Sequence, residues 1–110
     1  MQKTVISAAL LCLAAVSCAQ AAEDGVIRRP AAGCLHKAPM VRAHDLREQD
    51  DPVAAQRLIA EGLRAGDCRT FAPGEPVVVE DGDVLAELSK VHTLGDPTPF
   101  WIPEKAVETR

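Results

Sequence analysis

Cys68-Arg69-Thr70-Phe71-Ala72-Pro73-Gly74-Glu75-Pro76-Val77-Val78-Val79-Glu80-Asp81-Gly82-Asp83 is the stretch on which the fold class turns. Arg69 to Phe71 is a short β-prone piece, stopped by Pro73-Gly74, a pair that favours a turn because proline presets φ and glycine accepts a positive one. Glu75 to Glu80 is the densest β-branched run in the chain and places Val77 and Val79 on one face of a strand. Asp81-Gly82 then predicts a two-residue type I′ hairpin turn, whose central residues both need positive φ. Two strands and a tight turn in so short a span predict a mainly β domain.

Downstream, two readings of Val84 to His92 stand. Its residues are good helix formers, and Asp83 offers a cap for a helix that Gly95 would end. Alternation of Val84, Ala86 and Leu88 against Glu87 and Ser89 reads instead as a strand, which the turn before it and the strand after it both favour. Thr93 to Pro99, with Gly95, Pro97 and Pro99, reads as a loop. Phe100-Trp101-Ile102 is a last short strand, closed by Pro103 and a helical turn through Glu104-Lys105-Ala106-Val107.

Upstream lies the clearest single element. Asp51 is a good N-cap, and Pro52 suits the first helical turn, where its missing N–H is not needed. Ala55, Leu58, Ile59, Gly62 and Leu63 recur at three- and four-residue spacing, so a helix over 52–65 packs by one side and stops at Gly66. Before it, Leu35 and the pair Met40-Val41 alternate with polar residues around Pro39, which predicts one short edge strand. Arg47-Glu48-Gln49-Asp50 reads as a charged connector.

The first 21 residues have a different character. Lys3 supplies a positive start, Val5 to Val16 is an uncharged apolar run, and Ala19-Gln20-Ala21 fits the small-residue rule for signal cleavage. The expected product is a periplasmic, secreted chain that begins at Ala22. The apolar run is shorter than the roughly 20 residues a membrane span needs, so no transmembrane span is expected. An alternative rests on Ala15-Val16-Ser17-Cys18, which loosely resembles a lipobox and would make Cys18 an acylated anchor. Residues 22–33, with mixed charge, two glycines and a proline, read as a flexible lead-in.

Cleavage removes Lys3, Cys12 and Cys18 and takes the formal charge from −4 to −5. An acidic surface argues against nucleic acid or anionic lipid as a partner. The two remaining cysteines, Cys34 and Cys68, are expected to form one disulfide, the common outcome in an exported protein. Their loop of about 34 residues makes that bond worth roughly 3.8 kcal/mol in the chain-entropy model.

Cys68-x-x-Phe71-x-x-Gly74-x-x-Val77-x-Val79, then a hairpin, a loop and Phe100-Trp101-Ile102-Pro103-x-x-Ala106-Val107, resembles the strand order of an SH3-like barrel, as found in small exported bacterial proteins. The resemblance implies a single SH3-like domain over 34–110 with the 52–65 helix inserted where the family has a long hairpin loop. It also implies a binding module. Polyproline ligands are disfavoured, because their groove is lined by several aromatics and this chain has no Tyr, one Trp and two Phe.

The chemical inventory points away from catalysis. His36, His44 and His92 lack metal-ligand spacing, and oxidation removes Cys34 as a ligand or nucleophile. Glu80-Asp81-Gly82-Asp83 lacks the full calcium-loop pattern, and neither a phosphate-binding glycine loop nor G-x-S-x-G occurs. No cofactor, metal or enzyme activity is expected. The candidate binding surface comprises the acidic hairpin Glu80, Asp81 and Asp83 together with Phe100 and Trp101. The expected role is a periplasmic protein- or peptide-binding, inhibitory module for a basic envelope partner. The alternative is an envelope structural or stress component anchored through Cys18.

Overall fold

The computed structural model describes residues 22–110. Residues 1–21, with the expected export signal and the Cys18 anchor, lie outside the described residues. Seven strands form one antiparallel sheet: β1 (Glu23–Ile27), β2 (Ala31–Cys34), β3 (Cys68–Phe71), β4 (Pro76–Asp83), β5 (Leu88–Thr93), β6 (Asp96–Pro103) and β7 (Val107–Thr109). Two helices, α1 (Lys37–Glu48) and α2 (Pro52–Ala65), are inserted between β2 and β3, and a 3₁₀ turn (Glu104–Ala106) precedes β7. The domain is therefore mainly β with two helices, not the one expected. No helix among the described residues is long and apolar enough to cross a membrane.

The strand order is β3-β2-β6-β5-β4-β1-β7. No ladder joins β3 to β7 among the described residues, so the sheet is not closed by hydrogen bonds into the expected barrel. It does curl. Phe71 from β3 and Ile27 from β1 share one buried cluster with Val77, Val91, Ile102 and Ala106, although five positions separate their strands in a sheet laid flat. The turn after β3 fastens that curl: Gly74 N–H donates to Ile27 O at 2.7 Å and Ile27 N–H to Glu75 O at 2.9 Å. Arg69 grips both carboxylate oxygens of Glu75 at 3.0 and 2.7 Å and lies over the Phe71 ring.

The other face of the sheet carries the helices. Cys34, Cys68 and Leu88 are buried there with Met40 and Ala43 of α1 and Ala55 and Ile59 of α2. α2 has the predicted boundaries: the Asp51 carboxylate accepts from Ala54 N–H at 3.1 Å, and Gly66 ends the helix in the left-handed region at φ 82°. Gly62 has a second reason to be glycine, since a Cβ there would overlap Cys68 Sγ. The disulfide Cys34–Cys68 is present and joins residues paired directly across β2 and β3.

Further expectations are corrected. The flexible lead-in over 22–33 contains β1 and β2, held because β1 pairs with both β4 and β7 and β2 with β3 and β6. The short strand expected around Met40 is α1, and Arg47-Glu48 belongs to its last turn, not to a connector. Pro39 sits in its first turn, where proline is tolerated, and Met40 and Ala43 at i and i+3 face the core. The type I′ turn does not form at Asp81-Gly82: both residues lie in β4, opposite Lys90 and Ser89. The hairpin turns four residues later, over Val84–Glu87, where Asp83 Oδ1 accepts from Ala86 N–H at 3.1 Å and Glu87 takes a φ of 57°. Finally, the 93–99 loop shrinks to a tight turn at Leu94-Gly95, because β6 starts at Asp96. The segment after the first hairpin is a strand only from Leu88 onward.

Candidate functional site

Beside α2 lies a groove of about 840 Å³, within the size range of small-ligand sites. Its long wall is one stripe of α2, formed by Pro52, Gln56, Ile59, Ala60 and Leu63. Ala55 and Gly62 are committed to the core and the disulfide, Ile59 is shared between core and groove, and the neighbouring stripe is left over the groove. Leu63 is accordingly 38 % exposed. Met40 and Arg47 of α1, Ala31 and Ala32 of β2, and Pro103 and Ala106 beside the 3₁₀ turn complete the lining with Arg29, Pro30 and Lys105.

Two loops make the far wall. Arg28 N–H donates to Ala106 O at 2.8 Å, which brings the Arg29-Pro30 connection alongside the turn that carries Lys105. The floor is alanine, proline and aliphatic side chains. The charged lining residues are Arg29, Arg47 and Lys105, and no carboxylate lines the groove. Among the described residues none of the three takes part in a salt bridge; those pairs are Lys37 with Asp83, His44 with Glu48 and Glu87, Arg69 with Glu75, and His92 with Glu80. A chain that is acidic overall thus presents one apolar groove with a purely cationic set of charges.

The residues singled out from sequence do not assemble into one surface. A bulge between Val79 and Asp81 shifts the alternation of β4. Asp81 and Asp83 therefore turn to the helix side while Val77 and Val79 stay in the curled core. Asp83 pairs with Lys37 at 2.8 Å, a hydrogen bond that, with the Ala86 amide, holds its carboxyl below the usual value. Glu80 faces the His92 ring at 2.5 Å, and Asp81 accepts from the Gly82 amide at 2.8 Å. Two of the three acidic groups are thus engaged by cationic or ring partners of the same domain.

Phe100 and Trp101 point to opposite faces. Phe100 packs edge-on against Phe71, with centroids 5.9 Å apart, on the curled inner side. Trp101 is half-buried against the helix-side core, with Lys37 Nζ 5.0 Å and Lys90 Nζ 6.0 Å from its ring centroid. These placements make Phe100 a packing residue and Trp101 a platform for two lysines. Histidine placement is equally scattered: His36 precedes α1, His44 lies between Glu48 and Glu87, and His92 meets Glu80. No group of three or more metal-ligating side chains gathers among the described residues.

Sequence reasoning missed the groove. Its one readable signal was the width of the apolar stripe on α2, which includes Ala60 and Leu63 as well as Ala55 and Ile59. Its cations come from three separate segments and share no motif. Compared with protein-family models, with curated proteins and with solved structures, the chain matches none.

Proposed function

We propose that this chain is an exported binding domain of the cell envelope, an SH3-like barrel variant with a helical hairpin inserted after its second strand, and that it acts by holding a partner rather than by catalysis. The observation that carries the reading is the groove beside α2: an apolar floor of ligand size, framed by Arg29, Arg47 and Lys105 with no counter-charge. The curled sheet, in which β3 and β1 share a core, and the disulfide across β2 and β3 support the barrel and the export parts of the reading. The groove replaces the acidic hairpin as the preferred surface, because Glu80 and Asp83 are already paired within the domain. The expected partner is therefore anionic.

Amide NMR of the mature chain titrated with fractionated envelope extract tests this. Shifts centred on Ala31, Ala32, Ala60 and Leu63 are expected, and they should vanish in Ala60→Phe. Shifts confined to Glu80–Asp83 would overturn the reading. The intact mass of the exported chain tests its processing: an N-terminus at Ala22 is expected, whereas an acylated Cys18 would replace free export with a lipid anchor.

A further inference from the structure

The groove's lining narrows what it holds, given that it is the binding surface. We propose that its occupant is a medium-chain fatty acid of about a dozen carbons, with the alkyl chain along α2 and the carboxylate drawn to the cations of the lining. Three observations converge on it.

The first is the lack of hydrogen-bonding groups on the floor. Apart from its three cations, Gln56 is the only lining residue with a polar side chain. The backbone of β2 beneath is paired with β3 along Ala31–Cys34, and with β6 at Cys34. An extended peptide laid there would bury an N–H and a C=O per residue without partners, a desolvation cost that an apolar floor does not return. An alkyl chain carries no such groups.

The second is length. The stripe from Pro52 to Leu63 runs about 16 Å at the helical rise per residue, which matches an extended chain of about a dozen carbons. The third is charge. Arg29, Arg47 and Lys105 face no carboxylate in the groove, in a chain whose formal charge is −4. Guanidinium groups match a carboxylate in a planar, two-point geometry. An apolar lining whose only charges are cationic fits a monoanionic amphiphile, and it disfavours a cationic one of equal length.

The test uses the disulfide-bonded mature chain with dodecanoate below its micelle-forming concentration, followed by calorimetry and by amide NMR. Dodecanoate is expected to bind and to shift Ala32, Ala60 and Leu63. Each methylene removed should weaken binding by up to about fourfold, the worth of a fully buried CH₂, so octanoate should bind at least tenfold more weakly. The double variant Arg29→Gln/Lys105→Gln should lose tenfold or more while retaining the wild-type circular dichroism, and Ala60→Phe should abolish binding. Equal binding of dodecyltrimethylammonium, or binding indifferent to Ala60→Phe, would overturn the proposal. If dodecanoate fails but an acidic amphipathic peptide binds and is blocked by Ala60→Phe, the fatty-acid proposal falls while the groove remains the binding surface. If the peptide binds and Ala60→Phe has no effect, both fall.

Discussion

Gly62→Ala is a substitution for which local and tertiary physics give opposite signs. In the interior of a helix, alanine is favoured over glycine by about 1 kcal/mol, so α2 considered alone would be strengthened. In the folded domain the new methyl would overlap Cys68 Sγ and lie 3.3 Å from Cys68 Cβ. Neither atom can retreat. The sulfur is bonded to Cys34, and Cys68 is held in register opposite Cys34 by the β2–β3 ladder. Forcing a methylene-sized group into a filled site costs typically 1–3 kcal/mol. Because both neighbours are constrained, the upper part of that range applies, and the net effect is a loss of about 1–2 kcal/mol after the propensity gain is subtracted. Urea unfolding followed by fluorescence of Trp101, the chain's one tryptophan, and by circular dichroism measures it. For a domain of this size the melting temperature should fall by about 4–8 °C per kcal/mol. In the Cys34→Ala/Cys68→Ala background the offending sulfur is gone, and the same substitution should become neutral or stabilising. A Gly62→Ala protein as stable as wild type with its disulfide intact would refute the packing argument.

Three further outcomes follow from the same structure. Replacing both Cys34 and Cys68 by alanine should cost roughly 3.8 kcal/mol from the loss of loop closure over the 34-residue separation; a cost below about 1 kcal/mol in urea unfolding would show that the unfolded chain is not the state the bond restrains. Asp51→Ala should cost about 1 kcal/mol by orphaning the Ala54 amide, with hydrogen exchange rising first in the initial turn of α2; unchanged exchange there would count against the cap. In Lys37→Met, the Asp83 carboxyl should titrate closer to its ordinary value, because the Lys37 hydrogen bond is the main cause of its lowering. Since that folded-state value is depressed, the pair's contribution is present above the unfolded carboxylate value and is lost as pH falls through the folded one. Carboxyl NMR titration of both proteins decides it, and coincident Asp83 curves would mean that Lys37 does not act on this group in solution.

Where local signals were strong, sequence and fold agree. Asp51, Pro52 and Gly66 bracket α2 at the observed residues, because each acts on backbone groups within a few positions of itself. Where a weaker local preference met a tertiary demand, it lost. Asp81-Gly82 favours a tight turn, yet the β4–β5 ladder continues past it to the Asp83 and Leu88 pair, and Asp83 caps the turn that forms instead. The Met40 region reads as alternating around Pro39, yet burial of Met40 and Ala43 against the sheet and α2 selects a helix. In the candidate site, Phe100 and Trp101 are adjacent in sequence, and the pleat sends one to each core.

Composition and spacing alone determine several features of this protein: its mainly β character, the capped helix 52–65, the turn at Glu104–Ala106, and the pairing of two cysteines that stand well apart in the chain. Each depends on a residue acting on its neighbours, or on a small set of partners to choose from. Only the tertiary structure decides that Ala31-Ala32-Gly33-Cys34 is a strand. Those residues have little strand preference, and small side chains are what let Phe71 approach Gly33, where a Cβ would lie 2.8 Å from its ring. It also decides the groove. Arg29, Arg47 and Lys105 become neighbours of one apolar floor because the curl of the sheet and the Arg28 to Ala106 hydrogen bond bring together segments that are distant in the chain.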